Sequence, residues 1–193
     1  DRLARLVYGR AIIDTQLFLI NHIQPGSHIL IVGGGTGWIL DELSKIYTAG
    51  LTITYVEVAG DMMALSKKRN IAANKIIFIN NAVENVKLPA DFDVVLTPFL
   101  FDNFKEDTFR LVFDHINKLL KPGGLWLNCD FEPQGKWWQS FLLNSMFVFF
   151  RLICRIEADK LPDISARFNL NAFSVINEKL FFGGFIIARV YSK

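Results

Sequence analysis

The sequence predicts an α/β fold, a doubly wound and mostly parallel sheet with helices on both faces. Two observations carry this. Strand-like apolar runs alternate with helix-patterned segments from residue 28 to residue 130. The first run, Ile29-Leu30-Ile31-Val32, ends in Gly33-Gly34-Gly35-Thr36-Gly37 directly before the helical pattern Ile39-Leu40-Asp41-Glu42-Leu43. Alternation of this kind calls for right-handed crossovers and a sheet buried on both sides.

Each element follows in order. Residues 1–23 read as a helix, because Leu3, Leu6, Val7, Ile12, Ile13, Leu17, Phe18 and Ile20 recur at spacings near three and four, and Pro25-Gly26 ends it. Then come strand 28–33, helix 37–47, strand 51–57, helix 61–72, strand 75–79, strand 92–97, helix 105–120 and strand 124–130. From Gly135 to Arg155, Lys136, Ser140, Asn144, Arg151 and Arg155 form a narrow polar stripe. The other faces of that predicted helix are apolar, with Trp137, Trp138, Phe141, Leu142, Phe147, Phe149 and Phe150. The runs Phe173–Phe182 and Phe185–Tyr191, split by Gly183-Gly184, read as a hairpin. With 193 residues, the expectation is one domain over 1–193, with an N-terminal helical cap at 1–25 and a helical insertion at 135–160.

The glycine loop is where chemistry is expected. Glycines let a backbone approach a ligand closely, and the free N–H groups of the helix start favour an anionic group. The spacing is Gly33-x-Gly35-x-Gly37, and Trp38 stands where the third glycine of a dinucleotide fingerprint would fall, so that cofactor is disfavoured. Glu57 closes the second apolar run twenty residues after Gly37, where an acid can accept both ribose hydroxyls. Ligands on such sheets bind at the carboxyl ends of the strands, and Gly33, Glu57, Asn81 and Thr97 all fall at predicted strand ends.

These residues, with Glu57-Val58-Ala59-Gly60-Asp61-Met62, Asn81-Ala82, Phe92-Asp93-Val94-Val95 and Leu120-Lys121-Pro122-Gly123-Gly124, resemble the S-adenosylmethionine-dependent methyltransferases of the seven-stranded, Rossmann-like class. The likeness runs through most of the chain and is tightest between Ile29 and Phe131. It implies seven strands with an antiparallel C-terminal hairpin strand, S-adenosyl-L-methionine as cofactor, and a site made of Tyr8, Gly33, Gly35, Thr36, Gly37, Glu57, Val58, Met62, Asn81, Ala82 and Thr97. Two positions depart from the family pattern. Ile31 stands where an acid is common, so the loop is expected to be held by its own backbone and packing. Asn81 replaces an aspartate, keeping a carbonyl acceptor for the adenine amino group but no charge.

Composition excludes several partners. The formal net charge is +2 and no basic run marks a nucleic-acid surface. Cys129, Cys154, His22, His28 and His115 are scattered, so neither a metal nor a disulfide framework is expected. The first residues lack the pattern of a secretory signal, and the longest apolar stretch, 141–150, is too short to cross a bilayer, so a cytoplasmic location is expected.

Methyl transfer is an in-line displacement that needs a base only where the acceptor must lose a proton, so the sequence assigns no catalytic residue. Thr97, Phe99, Phe101 and Asp102 are candidates after strand 4 and Asp130 after strand 5. An ordinary helix N-terminal or surface carboxylate is the alternative for Asp102. The stretch Thr97-Pro98-Phe99 lacks the polar-Pro-Pro-aromatic turn of amino-group methyltransferases that act on nucleic acid or protein. A small or lipid-like acceptor is therefore favoured. Helix 135–155 is a cover for the sheet, a lid over that acceptor, or a dimer or membrane-surface contact. An aminopropyltransferase-like enzyme and a non-catalytic relative remain alternative readings.

Overall fold

A computed structural model describes residues 8–143 and 161–193. Seven strands form one sheet: β1 (His28–Val32), β2 (Ala49–Val56), β3 (Ala73–Ile79), β4 (Phe92–Pro98), β5 (Leu120–Phe131), β6 (Ser174–Phe181) and β7 (Ile186–Ser192). Their order is β3-β2-β1-β4-β5-β7-β6, and β7 runs antiparallel to both of its neighbours. Because β1 pairs in parallel with β2 on one side and β4 on the other, the chain switches direction there. That is where a crevice opens at the strand ends.

Both faces of the sheet are covered because its central strands are apolar on both sides. In β1, Leu30 and Val32 point into one core, with Phe92, Val95, Phe109, Phe113 and Trp126. Ile29 and Ile31 point into the other, with Leu40, Leu43, Ile53, Tyr55 and Leu96. The first core is closed by α4 (Glu106–Leu119), which buries Phe109, Val112, Phe113 and Ile116 at helical spacing, and by α5 (Ile164–Leu170), which buries Ile164 and Phe168. The rings of Phe168 and Tyr191 stack at 3.6 Å there, and those of Phe113 and Trp126 at 4.7 Å. The second core is closed by α1 (Ala11–Ile20), α2 (Trp38–Ile46) and α3 (Gly60–Ser66).

Several boundaries differ from the sequence reading. Helix 61–72 stops at Ser66: the Ser66 hydroxyl bonds back to the Met63 carbonyl, Ala72 takes a left-handed backbone at φ 50°, and the Asn70 side chain caps the Ala72 N–H. The first helix begins at Ala11, after a turn at Gly9 and Arg10; the expectation for residues 1–7 lies outside the described residues. Helix α5 was not expected, since the sequence offers only a short apolar pattern that Asp163 caps through its side chain. The hairpin stands as predicted, with Gly183 at φ 62° and Gly184 at φ 86° in its turn.

The predicted helix 135–155 is described only at its start, where residues 137–143 are helical; its remainder lies outside the described residues. Trp137 is 82% exposed and Phe141 70% exposed, whereas Trp138 and Leu142 pack against Phe185 and its neighbours. The buried polar residue is Gln139, whose side chain accepts the Gln134 N–H at 2.7 Å and reaches the Gly183 carbonyl. Two aromatics therefore face outward where the stripe placed polar side chains alone.

Candidate functional site

The carboxyl ends of β1, β4 and β5 bound a cavity of about 400 Å³. Its floor is the glycine loop, Gly33 to Thr36. Pro98, Phe99, Asp102 and Asn103 after β4 and Phe131 at the end of β5 form one wall. Tyr8, Gly9, Ile12, Ile13 and Gln16 roof it from α1 and the turn before it, and Trp38 stands at its edge.

The loop is shaped by left-handed backbone that only glycine adopts cheaply: Gly33 has φ 70° and Gly35 φ 61°. A Cβ at Gly34 would lie 2.5 Å from the Tyr55 hydroxyl, while at Gly35 it would meet nothing within 4 Å and would project into free space. Gly37 has another use. A Cβ there would sit 2.6 Å from Ser66, so this glycine lets α2 start against α3 and faces no cavity.

To the backbone and packing expected to hold the loop, the structure adds side-chain hydrogen bonds from Tyr55 of β2 and from Glu57 just after it. The Tyr55 hydroxyl donates to the Gly35 carbonyl at 2.9 Å. The buried Glu57 carboxylate accepts the Gly35 N–H at 3.0 Å and the Ala59 N–H at 2.9 Å, one on each oxygen. Arg69, which lines the cavity, donates to the Thr36 carbonyl at 2.8 Å and pairs with Asp41 at 3.0 Å. Ile31 is fully buried and pairs in register with Tyr55, so the face where an acid was expected is filled by hydrocarbon and a phenol. Neither Tyr55 nor Arg69 was singled out from the sequence. A tyrosine in a strand reads as core, and an arginine in a predicted helix reads as surface.

Beyond Glu57 lies an open shelf. Val58, Met62 and Asn81 are exposed, and Asn80 ties the shelf together by donating to the carbonyls of Glu57 and Val58 at 2.7 and 3.0 Å. Asn81 turns its own carbonyl onto the Ala82 N–H at 2.9 Å. These residues gather at the ends of β2 and β3, beside the loop and outside the cavity. Each Glu57 oxygen accepts one backbone N–H and keeps a further lone pair, and the exposed Val58 and Met62 side chains lie beside it.

Thr97 belongs elsewhere. It is fully buried in the sheet, receives the Trp126 indole N–H at 2.9 Å and donates to Asn128 at 2.9 Å, so its side chain is spent in the core. Phe101 is likewise buried, against Phe109 and Phe113. Phe99, by contrast, reaches the cavity. Its φ of 52° is a left-handed backbone costing roughly 1–3 kcal/mol for a bulky residue, held by its N–H to the Cys129 carbonyl at 2.8 Å. The result is an aromatic wall: Phe99 lies 5.3 Å from Phe131, which lies 5.2 Å from Tyr8.

The acids of this wall are buried, not surface groups. Burial pushes Asp102 up to about 7, and burial with the Asp102 charge pushes Asp130 well above the ordinary carboxylate range. Burial, reinforced by Asp102, raises the Tyr8 phenol to about 12. Among the described residues, no cluster of His, Cys, Asp and Glu is arranged to hold a metal ion, and no helix is long and apolar enough to cross a membrane.

Residues 29–124 match the sequence profile of a family described as methyltransferase domain. This chain carries a methyltransferase domain. Among curated proteins it is similar to a malonyl-[acyl-carrier protein] O-methyltransferase of Bacillus cereus, 30% identical over 46% of this chain and 33% of that protein. It is also similar to a ubiquinone/menaquinone biosynthesis C-methyltransferase of Vibrio parahaemolyticus, 26% identical over 61% of this chain and 48% of that protein. The chain thus spans a third to a half of the length of these relatives. Among solved structures, an N-methyltransferase NodS of Bradyrhizobium japonicum, in complex with S-adenosyl-L-homocysteine, superposes with a TM-score of 0.73 at 12% identity, over 96% of this chain and 87% of that one. That likeness establishes the shared methyltransferase fold.

Proposed function

We propose that this methyltransferase domain transfers a methyl group from S-adenosyl-L-methionine to a small molecule seated against Phe99 and Phe131. One observation carries the reading: a single cavity runs from the glycine loop to the aromatic wall, so a donor on the loop and an acceptor on the wall share one enclosure. The cofactor supplies an activated methyl on a sulfonium. The chain's own work is to bind, align and exclude water.

In this reading Gly33, Gly35 and Thr36 hold the amino-acid end of the cofactor, where Gly35 leaves room for it and the Gly33 and Gly35 N–H groups are already engaged by the Val56 carbonyl and Glu57. Glu57 takes the ribose, while Val58, Met62, Asn81 and Ala82 form the shelf for the adenine. Tyr8 closes the cavity over both ligands, and its ring leans on Phe131. Gly37 acts through helix packing and Thr97 through the core. A small acceptor accords with the cavity volume and with the small-molecule chemistry in the names of the curated relatives.

Calorimetry with S-adenosylmethionine, S-adenosylhomocysteine, decarboxylated S-adenosylmethionine and NADH tests the cofactor. Binding of the first two in preference to the others supports the proposal. Preference for the decarboxylated form would favour the aminopropyltransferase reading, and failure to bind any of them would leave a non-catalytic relative. Product formation with quinol, phenol, fatty-acid and amine acceptors then tests transfer.

A further inference from the structure

Two buried acids at the aromatic end of the cavity have no cationic partner among the described residues. Asp130 ends β5 and Asp102 lies in the short turn Phe101–Asn103 after β4, and each is more than nine-tenths buried. Asp130 is committed to backbone, accepting the Phe101 N–H at 3.0 Å and the Phe131 N–H at 3.1 Å. Asp102 is committed less. One oxygen accepts the Asn103 side-chain amide at 2.7 Å, no other side chain among the described residues donates to it, and it lines the cavity. Neither acid forms an ion pair with a described residue. The cation of the cavity wall, Arg69, is engaged with Thr36 and Asp41.

The groups facing Asp102 from neighbouring elements are Asp130 and the Cys129 thiol of β5, and the Tyr8 phenol. None is cationic. Two adjacent carboxyls in such surroundings cannot both ionise near neutrality, so the pair keeps one proton and one charge. A buried charge with no cationic partner among the described residues is costly to retain, and here it opens onto the cavity.

We infer that Asp102, seated beside Asp130, is the proton acceptor for methyl transfer to a neutral planar ring that carries an ionisable hydroxyl. The inference rests on the methyl-transfer reading above. The charged pair repels an acceptor that arrives as an anion, and an ammonium has no lone pair with which to attack. A ring hydroxyl has one, and the aromatic faces of Phe99, Phe131 and Tyr8 suit a flat ring. In the step, the acceptor oxygen, or a ring carbon conjugated to it, bonds to the methyl carbon as the carbon–sulfur bond breaks. The electron pair of that bond stays on sulfur as a thioether, and the hydroxyl proton passes to Asp102. A carboxylate lifted to about 7 is matched to that task at neutral pH.

The test uses 2-naphthol, 2-methoxynaphthalene and 1-naphthylmethylamine, titrated calorimetrically into protein saturated with S-adenosylhomocysteine. Binding of S-adenosylhomocysteine is recorded first. If it fails, the methyl-transfer reading falls, and the naphthol titrations are read on the protein alone. The expected result is that naphthol binds about tenfold more tightly than its methyl ether at pH 8, an advantage that shrinks below pH 7 as the pair takes up its second proton. Asp102→Asn should abolish that preference with S-adenosylhomocysteine affinity unchanged. Asp130→Asn should leave the preference and its onset near pH 7 in place, because burial and not an Asp130 charge lifts Asp102, which keeps the test open if the first variant folds poorly. Where naphthol is methylated, Asp102→Asn should lower kcat by about 10²-fold or more, while KM rises by no more than the roughly tenfold binding preference that is lost. Equal binding of naphthol and its ether, an unchanged preference in Asp102→Asn, or methyl transfer to the amine with none to naphthol overturns the inference.

Discussion

Ile31 and Tyr55 are register partners on adjoining strands, and from that position the Tyr55 hydroxyl reaches the Gly35 carbonyl at 2.9 Å. Hydrocarbon on β1 and a phenol on β2 together support a loop that the sequence left to its own backbone and packing. Tyr55→Phe keeps the packing and removes one hydrogen bond. It is expected to cost about 0.5–1.5 kcal/mol of stability and to weaken S-adenosylmethionine binding several-fold, checked by denaturant melts and calorimetry on the same preparation.

Glu57 serves the loop and the proposed ribose site with one carboxylate. Glu57→Ala is expected to weaken cofactor binding by about 2–3 kcal/mol, and to destabilise the fold as well, because two backbone N–H groups lose their acceptor. Unchanged cofactor affinity in this variant would remove the ribose assignment.

Asn81 stands exposed on the shelf with its carbonyl turned to Ala82. If the adenine amino group lies against it, Asn81→Asp retains or strengthens binding, since a carboxylate is the stronger acceptor. A large loss of affinity by calorimetry would show that the base lies elsewhere.

Thr97 gives the contrasting case. Thr97→Val leaves the Trp126 indole N–H and the Asn128 carbonyl without their shared partner inside the sheet. The expected cost is about 1–3 kcal/mol of stability, read in urea melts, with cofactor affinity unchanged.

Stability should also fall across a defined pH range. Asp102 is lifted from 3.8 to about 7, so between those values the folded protein holds a proton that the unfolded chain releases. Folding therefore binds protons there. This contribution is fully present below about pH 4 and is lost as pH rises through about 7. Urea midpoints measured from pH 5 to pH 8 should decline in the native protein and decline less in Asp102→Asn.

The sequence by itself determined the architecture and the edge of the sheet where a ligand sits. Apolar periodicity switches between two and 3.6 residues, glycines stand at a strand end, and Gly183-Gly184 splits a hairpin; all are local signals, and local signals survive in one dimension. Glu57 and the glycine loop were legible for that reason. What only the tertiary structure decided depends on which side chains meet across strands. Thr97 looked like a site residue because it ends a strand, yet strand alternation turns its hydroxyl into the core. Tyr55 looked like core, yet its ring ends at the loop. Asp102 and Asp130 lie 28 positions apart in the chain, and nothing local marks them as neighbours. Their burial against one another, and with it their proton affinity, exists only once β4 and β5 are paired in register.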